Sequence, residues 1–356
     1  MKTTARRFNL GLCVVFAVLF LAGSVGGQSP EQQRELRVLT DVGANTISQM
    51  TKAAENGDVN AQLRLGFAYL EGQDRSTDEI FPRDQAQAAK WFRMAAEQGN
   101  ANGQFRLGYA YYAGQGVLQN FAEAAKWLRP AADQGKADAQ SLLGAIYANG
   151  GGTIQADYAE AEKWYRKAAE QRDANAQVGL GGMYYRGQGV PQNNTEAVNW
   201  YRKAADRGSP TGQFNLGKMY YSGEGVTQDY AEAAKLFRKA ADKGLPMAQY
   251  TLGKMFFEGQ RVRQDYKEAA KWFRKAADQN LPIAQHQLGA MYSAGQGFPK
   301  DPIQAYVWTD LAIVTASFEE NAQWSKERDV LIQGMTESQV AEGQRLSREW
   351  KAKQLK

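Results

Sequence analysis

A single imidazole, His286, and a single thiol, Cys13, bound the chemistry that this 356-residue chain can perform. A Cys/His zinc cluster needs four ligands, and an intramolecular disulfide needs two cysteines, so neither is expected. Cys13 falls in an apolar run near the amino terminus, which argues against a cysteine nucleophile in the mature chain. His286 follows a recurring glutamine, at a position that other repeats fill with Leu63, Phe105, Ser141, Val178, Phe214 and Tyr250. A position that varied reads as surface, and no third group is evident to orient the ring as a general base. Carboxylates are plentiful enough for acid–base pairs. However, Glu123, Glu160, Glu196, Glu232 and Glu268 recur once per period, as a solvated helix face does and a single active centre does not. The Gly-x-Gly turns lack both a following Lys-Ser/Thr and a preceding strand, so a phosphate cradle is not indicated. No catalytic residue, metal or cofactor is expected.

The elements that carry these residues are repeats. Leu-Gly occurs at 65–66, 107–108, 143–144, 180–181, 216–217, 252–253 and 288–289, each time three residues after a glutamine (Gln62, Gln104, Gln140, Gln177, Gln213, Gln249 and Gln285). The glutamines are spaced 42, 36, 37, 36, 36 and 36 residues apart, the first interval lengthened by an insertion at Gln73–Phe81. A period of that size signals stacked two-helix modules. In the fifth repeat, Pro210–Tyr221 and Tyr230–Lys243 both show helical apolar spacing, and the glycine-bracketed turn Ser222–Val226 lies between them. Gly99, Gly135, Gly208 and Gly244, with Asn280, stand where a second helix closes in the left-handed conformation, and Arg172 takes that place in the third repeat. Pro210, Pro246 and Pro282 suit a first helical position. Pro130 lies inside a second helix, where its ring is expected to kink or break the ladder.

Glycine inside a helix costs about 1 kcal/mol against alanine, so the glycines after leucine imply close helix approach. Trp91, Trp127, Trp164, Trp200, Trp272 and Trp308, with Leu236, are expected to cover them as core residues. Arg93/Glu97, Arg129/Asp133, Arg166/Glu170, Arg202/Asp206, Arg238/Asp242 and Arg274/Asp278 are spaced to meet along a helix surface. Residues 50–57 resemble the second half of a repeat, and two helices are expected near 319–334 and 337–353, the latter opening with the capping-box spacing Thr336-Glu-Ser-Gln339.

Residues 1–27 read as a secretory signal peptide: Lys2, Arg6 and Arg7, then the apolar run Leu10–Ala22, then small residues. The alternative for that segment is an uncleaved membrane anchor. Either way the rest of the chain is expected outside the cytosol, periplasmic or secreted. Setting those three cations aside leaves 40 basic against 38 acidic residues, a net charge of +2. So balanced a chain gives no case for nucleic-acid binding.

The pattern Ala-Gln-x-x-Leu-Gly-x-x-Tyr, then Gly-x-Gly-Val, then Asp-Tyr-x-Glu-Ala-x-Lys-Trp-Phe-Arg-Lys-Ala-Ala resembles the Sel-one-like repeat (SLR), a tetratricopeptide-like helical repeat family. The ending 335–350 is similar to a tail of bacterial members. The resemblance implies an all-α fold, an α-α superhelix (solenoid) of about seven two-helix repeats with helical caps at both ends. The organisation expected is a signal peptide at 1–27, a linker and cap helix at 28–59, seven repeats at 60–301, and the last repeat helix with C-terminal capping helices at 302–356. The resemblance also implies an adaptor or scaffold with a protein or peptide partner. A cysteine-rich subgroup is linked to penicillin binding and β-lactamase activity. A cell-wall hydrolase of that kind, or a secreted host-target binder, is therefore the alternative, although no cysteine remains after residue 27. A monomer is favoured.

The positions that vary while the frame stays fixed lie two before the leucine, one after the glycine and four after it. That spacing puts them on one face of the first helix, which in tetratricopeptide-like solenoids lines the concave side. Phe67, Phe105, Tyr109, Tyr112, Tyr185, Phe214, Lys218, Tyr221, Tyr250, Lys254, Phe257 and His286 are the resulting candidates for partner contact.

Overall fold

The computed structural model describes residues 47–74 and 80–354. The expected signal segment at 1–27, most of the expected linker, and residues 75–79 of the first repeat's insertion lie outside the described residues. The described residues form seventeen helices and no strand, with isolated bridges only between Gln73 and Ile80 and between Gly151 and Ile154. The fold is an all-α solenoid. Helix α1 (47–55) precedes seven pairs. These are α2 and α3 (Val59–Glu71, Gln85–Glu97), α4 and α5 (Ala101–Ala113, Phe121–Asp133), α6 and α7 (Ala137–Asn149, Tyr158–Glu170), and α8 and α9 (Ala174–Arg186, Asn194–Asp206). They continue with α10 and α11 (Pro210–Ser222, Tyr230–Asp242), α12 and α13 (Pro246–Glu258, Tyr266–Ala277), and α14 and α15 (Pro282–Ala294, Pro302–Thr315). Helices α16 (Phe318–Gln333) and α17 (Glu337–Gln354) follow. The helices gather into two compact bodies, one ending at Trp164 and one beginning at Tyr165. None of the described helices is long and apolar enough to cross a membrane.

Each second helix starts at an Asp or Asn (Asp84, Asn120, Asp157, Asn193, Asp229, Asp265 or Asp301) whose side chain accepts from backbone amides of the first turn. Each second helix up to the sixth repeat ends in the left-handed region, reached by glycine, by Asn280 (φ 63°) and, in the third repeat, by Arg172 (φ 65°). Arg172 therefore closes its helix as the glycines do, its amide reaching the Ala169 carbonyl at 2.9 Å. Pro130 does not break α5, which continues through it to Asp133. The proline lies in the last turn, where only one ladder bond is lost, and the Pro130 carbonyl still accepts from Gln134. Thr336 and Gln339 form the expected capping box at α17, each side chain bonding the other's backbone amide.

The recurring glutamine has a specific partner. Its buried amide donates to the carbonyl eight residues earlier, at the end of the preceding second helix: Gln62 to Ala54 (2.9 Å), Gln140 to Ala132 (2.9 Å) and Gln249 to Ala241 (3.1 Å), with the same bond in the other four repeats. In the first, second and sixth repeats the glutamine oxygen accepts a second bond, from Gln98, Gln134 and Gln279. In the fifth repeat the equivalent residue is Lys243, which instead reaches the Gly208 carbonyl, and Gln213 Oε1 has no partner among the described residues.

The glycine after leucine does mark close approach, but the covering side chain is one residue later than the spacing suggested. A Cβ at Gly66 would run into Phe92, one at Gly181, Gly217 or Gly253 would meet Tyr201, Phe237 or Phe273 at 2.6 to 2.8 Å, and one at Gly108 would meet Leu128 at 2.7 Å. The tryptophans lie beside this contact. Five of the six are buried, and Trp127 is half-buried.

Replacing Gln249 with Leu is expected to cost about 0.5–1.5 kcal/mol per hydrogen bond lost, since the Ala241 carbonyl keeps the Gly244 amide and the Gln279 amide keeps the Lys275 carbonyl. Gln213→Leu is expected to cost less, since it also removes an unpaired oxygen; urea unfolding of the two variants compares them. Gly217→Ala gains about 1 kcal/mol of helix propensity but overpacks Phe237 at about 1–3 kcal/mol. A net loss in the unfolding midpoint is expected.

Candidate binding face

The candidate face is built on the first helices, whose register the leucine, glycine and glutamine fix. Of the twelve candidates, Tyr109, Lys218 and Lys254 are exposed and the other nine are half-buried. In the first body, Phe67 packs edge-on against Phe92 (5.4 Å), and Tyr112 against Phe121 (5.6 Å). Phe105 and Tyr109 lie 6.3 Å apart, and Tyr109 and Tyr112 6.4 Å, a row of rings along one helix. The Arg106 guanidinium lies over Phe67 at 4.7 Å.

In the second body the same positions repeat the same contacts. Phe214 meets Phe237 (5.6 Å) and Tyr250 meets Phe273 (5.5 Å), so the ring two before the leucine covers the second helix of its own repeat. Tyr221 meets Tyr230 (5.2 Å) and Phe257 meets Tyr266 (5.3 Å). These rings are therefore half framework and half surface. Two hydroxyls also reach the turn of the next repeat: Tyr221 donates to Gln260 Oε1 (3.0 Å), and Tyr185 bonds Glu224. That bond, with burial, pushes the Tyr185 hydroxyl up, and burial does the same to Tyr250.

His286 faces α16. Its ring stacks on Trp324 (4.6 Å between centroids, 11° between planes), and its Nε2 lies 2.6 Å from Glu327 Oε2. Beside this pair is a cleft of about 450 Å³ lined by Ala290, Ser293, Thr309, Lys326, Glu327 and Val330, among others. His286, Ala290 and Ser293 are the seventh repeat's three face positions, so α16 stands beside the face of α14. Among the described residues there is no group of three or more His, Cys, Asp or Glu placed to hold a metal.

The arginine–acid pairs behave differently from their spacing. Arg274 meets Asp278 at 3.0 Å. Arg93, Arg129, Arg166 and Arg202 reach forward eighteen residues to a tyrosine hydroxyl of the next repeat (Tyr111, Tyr147, Tyr184 and Tyr220). Arg129, Arg238 and Arg274 also lie over the next repeat's tryptophan, Trp164, Trp272 or Trp308, at 4.7 to 5.7 Å. Second-helix cations thus stitch one repeat to the next. Single-helix spacing hides these links; the constant Arg-to-Tyr offset of eighteen residues is the signal that could have found them.

The profile described as Sel1 repeat matches residues 59–100, 101–136, 137–173, 174–209, 210–245, 246–281 and 282–313. The chain belongs to the Sel1 repeat family. It is similar to a Sel1 repeat protein from Oxalobacter formigenes, at 31% identity over 92% of this chain and 97% of that one, with a TM-score of 0.61. A protective antigen present in uropathogenic Escherichia coli strains, displaying an SLR fold, aligns at 28% identity over 85% and 94% of the two chains, with a TM-score of 0.41. A Sel1 repeat protein from Klebsiella pneumoniae aligns at 21% over 57% and 98%, with a TM-score of 0.42. No curated protein matches the chain. Sel1 repeats are a scaffold consistent with protein interaction.

Tyr201, the ring that covers Gly181, has its hydroxyl pushed up to about 12 by burial, with Arg186 pulling the other way. A group that ionises later folded than unfolded gives its full contribution below about pH 10, the ordinary tyrosine value. That contribution is lost as pH rises toward 12. Stability between those values is expected to fall more steeply in this protein than in Tyr201→Phe, as read by urea midpoints at each pH.

Proposed function

We propose that this Sel1 repeat protein is an exported, non-catalytic scaffold whose first-helix face holds a peptide or a segment of a protein partner.

 The support is the separation of frame from face: the glutamine bond and the buried leucine repeat in all seven modules and the close glycine contact with a ring or leucine in five, while the positions between them vary and present Tyr109, Lys218 and Lys254 to solvent beside half-buried rings. Aromatic rings interleaved with cations on an otherwise uncharged strip suit polypeptide recognition. Export rests on the sequence of residues 1–27, and a periplasmic or secreted address follows from it. Hydrolysis of a chromogenic β-lactam or of purified peptidoglycan by the chain lacking that segment would overturn the non-catalytic reading.

The face is tested with peptides selected on the wild-type protein from an unbiased displayed library. A folded variant carrying Tyr109→Ala, Lys218→Ala, Tyr250→Leu and Lys254→Ala together is expected to bind them roughly tenfold or more weakly, the scale of losing interface anchors. Unchanged binding by that variant, with its helicity retained, would sink the assignment of the face.

A further inference from the structure

We propose that the first-helix face of repeats four to six takes an extended, acidic polypeptide segment, with one of its carboxylates on each of Arg186, Lys218 and Lys254. This rests on the reading of the face given above and adds the chemistry of the partner.

Positions 182, 218 and 254 are equivalent, each one residue after the helix glycine. Lys218 and Lys254 occupy two of them and are exposed. The third is Gly182, which has no side chain, and the guanidinium of Arg186 folds back over it: both terminal nitrogens lie 3.2 Å from where a Cβ would stand. Three successive repeats therefore present a cation at one place on the face, by two different sequence routes. Arg186 Nε donates to the neutral Gln188 at 2.6 Å, and no carboxylate of the described residues lies within 4.0 Å of Arg186 or Lys218. Lys254 lies 3.7 Å from Glu258, a surface pair with the lysine side chain half-exposed, which a ligand carboxylate can displace at small cost. Glu224, in the turn of the fifth repeat, is bonded by the Tyr185 hydroxyl.

These cations contrast with the second-helix arginines Arg202, Arg238 and Arg274, which are taken up by a tyrosine hydroxyl or a tryptophan ring of the next repeat. The first-helix row is spare. Between its members lie the half-buried rings of Phe214, Tyr221 and Tyr250, whose exposed edges can cover apolar side chains.

The first helices of the fourth and fifth repeats touch directly, and helices in contact stand about 8–10 Å apart. A chain extended as polyproline II advances about 3.1 Å per residue with three residues per turn, which keeps every third side chain on one face. Cations one repeat apart therefore match acidic residues about three apart in the segment, with apolar residues between. A helical segment, rising about 1.5 Å per residue, would need its acids about two turns apart.

The probe is a fluorescein-labelled peptide, Gly-Ser-Glu-Leu-Val-Glu-Leu-Val-Glu-Leu-Ser-Gly, titrated with the full chain and read by anisotropy. It is expected to bind in a salt-sensitive manner, and its analogue with Lys for Glu is expected not to bind. Arg186→Gln, Lys218→Gln and Lys254→Gln are each expected to weaken binding roughly 2- to 5-fold, the triple variant by more than tenfold, and Lys218→Arg hardly at all. Equal binding of the Lys analogue, or of the triple variant, overturns the proposal. So does tighter binding of single-stranded RNA of equal charge, or of a helical peptide with its glutamates two turns apart. If library-selected peptides bind and the triple neutral variant keeps them while Phe214→Ala loses them, the acidic partner fails and the face survives. If no peptide of any kind binds, both readings fail.

Discussion

Every second helix ends in carbonyls that its own ladder cannot satisfy, and in a solenoid those carbonyls face the next repeat instead of water. The buried glutamine of the following first helix answers one of them, eight residues on, in all seven repeats. A glutamine suits this place because its amide supplies a donor for the carbonyl and an acceptor for a second bond, which Gln98, Gln134 and Gln279 use. That bond sets the axial position of each first helix on its predecessor. The bare glycine, pressed against the ring or leucine of the paired helix, sets the distance between them.

With those two contacts fixed, the rest of the surface divides by function. Arginines on the second helices bridge from one repeat to the next, bonding a tyrosine hydroxyl and lying over a tryptophan. A guanidinium can do both at once, since its edge donates while its face stacks. The first helices need no such bridge, because the glutamine already joins them to the preceding helix. Their outward rings keep part of the framework, but the positions of Lys218, Lys254 and Tyr109 are exposed.

The repeat, the helix pairs, the proline-led first helices and the closing capping box were all legible because each depends on neighbours within one helix or on a period that alignment reveals. What was not legible depends on contacts between helices. The covering ring lies one residue after the tryptophan because the crossing geometry of the pair, and not helical spacing alone, decides which side chain meets the glycine. Arg93, Arg129, Arg166 and Arg202 reach a half-buried tyrosine hydroxyl of the next repeat, a partner that outweighs a carboxylate in the weaker orientation on their own helix. Pro130 is tolerated because only one ladder bond falls in the last turn, and Arg172 because the closing bonds to Ala168 and Ala169 hold it in the left-handed region. His286 read as a surface position and is instead half-covered by Trp324, a contact that no periodic argument reaches because α16 lies outside the repeats.

The face was legible as a set of positions but not as a set of roles. Phe214 and Tyr250 cover the same phenylalanine that presses on the glycine, so changing them alters the frame as well as the surface. Lys218 and Lys254 carry no such duty, and Arg186 reaches their place from another position. Affinity that comes from the rings is therefore tied to stability, whereas selectivity that comes from the cations is not. A scaffold built this way can change the charge it recognises, repeat by repeat, without disturbing the contacts that hold the repeats together.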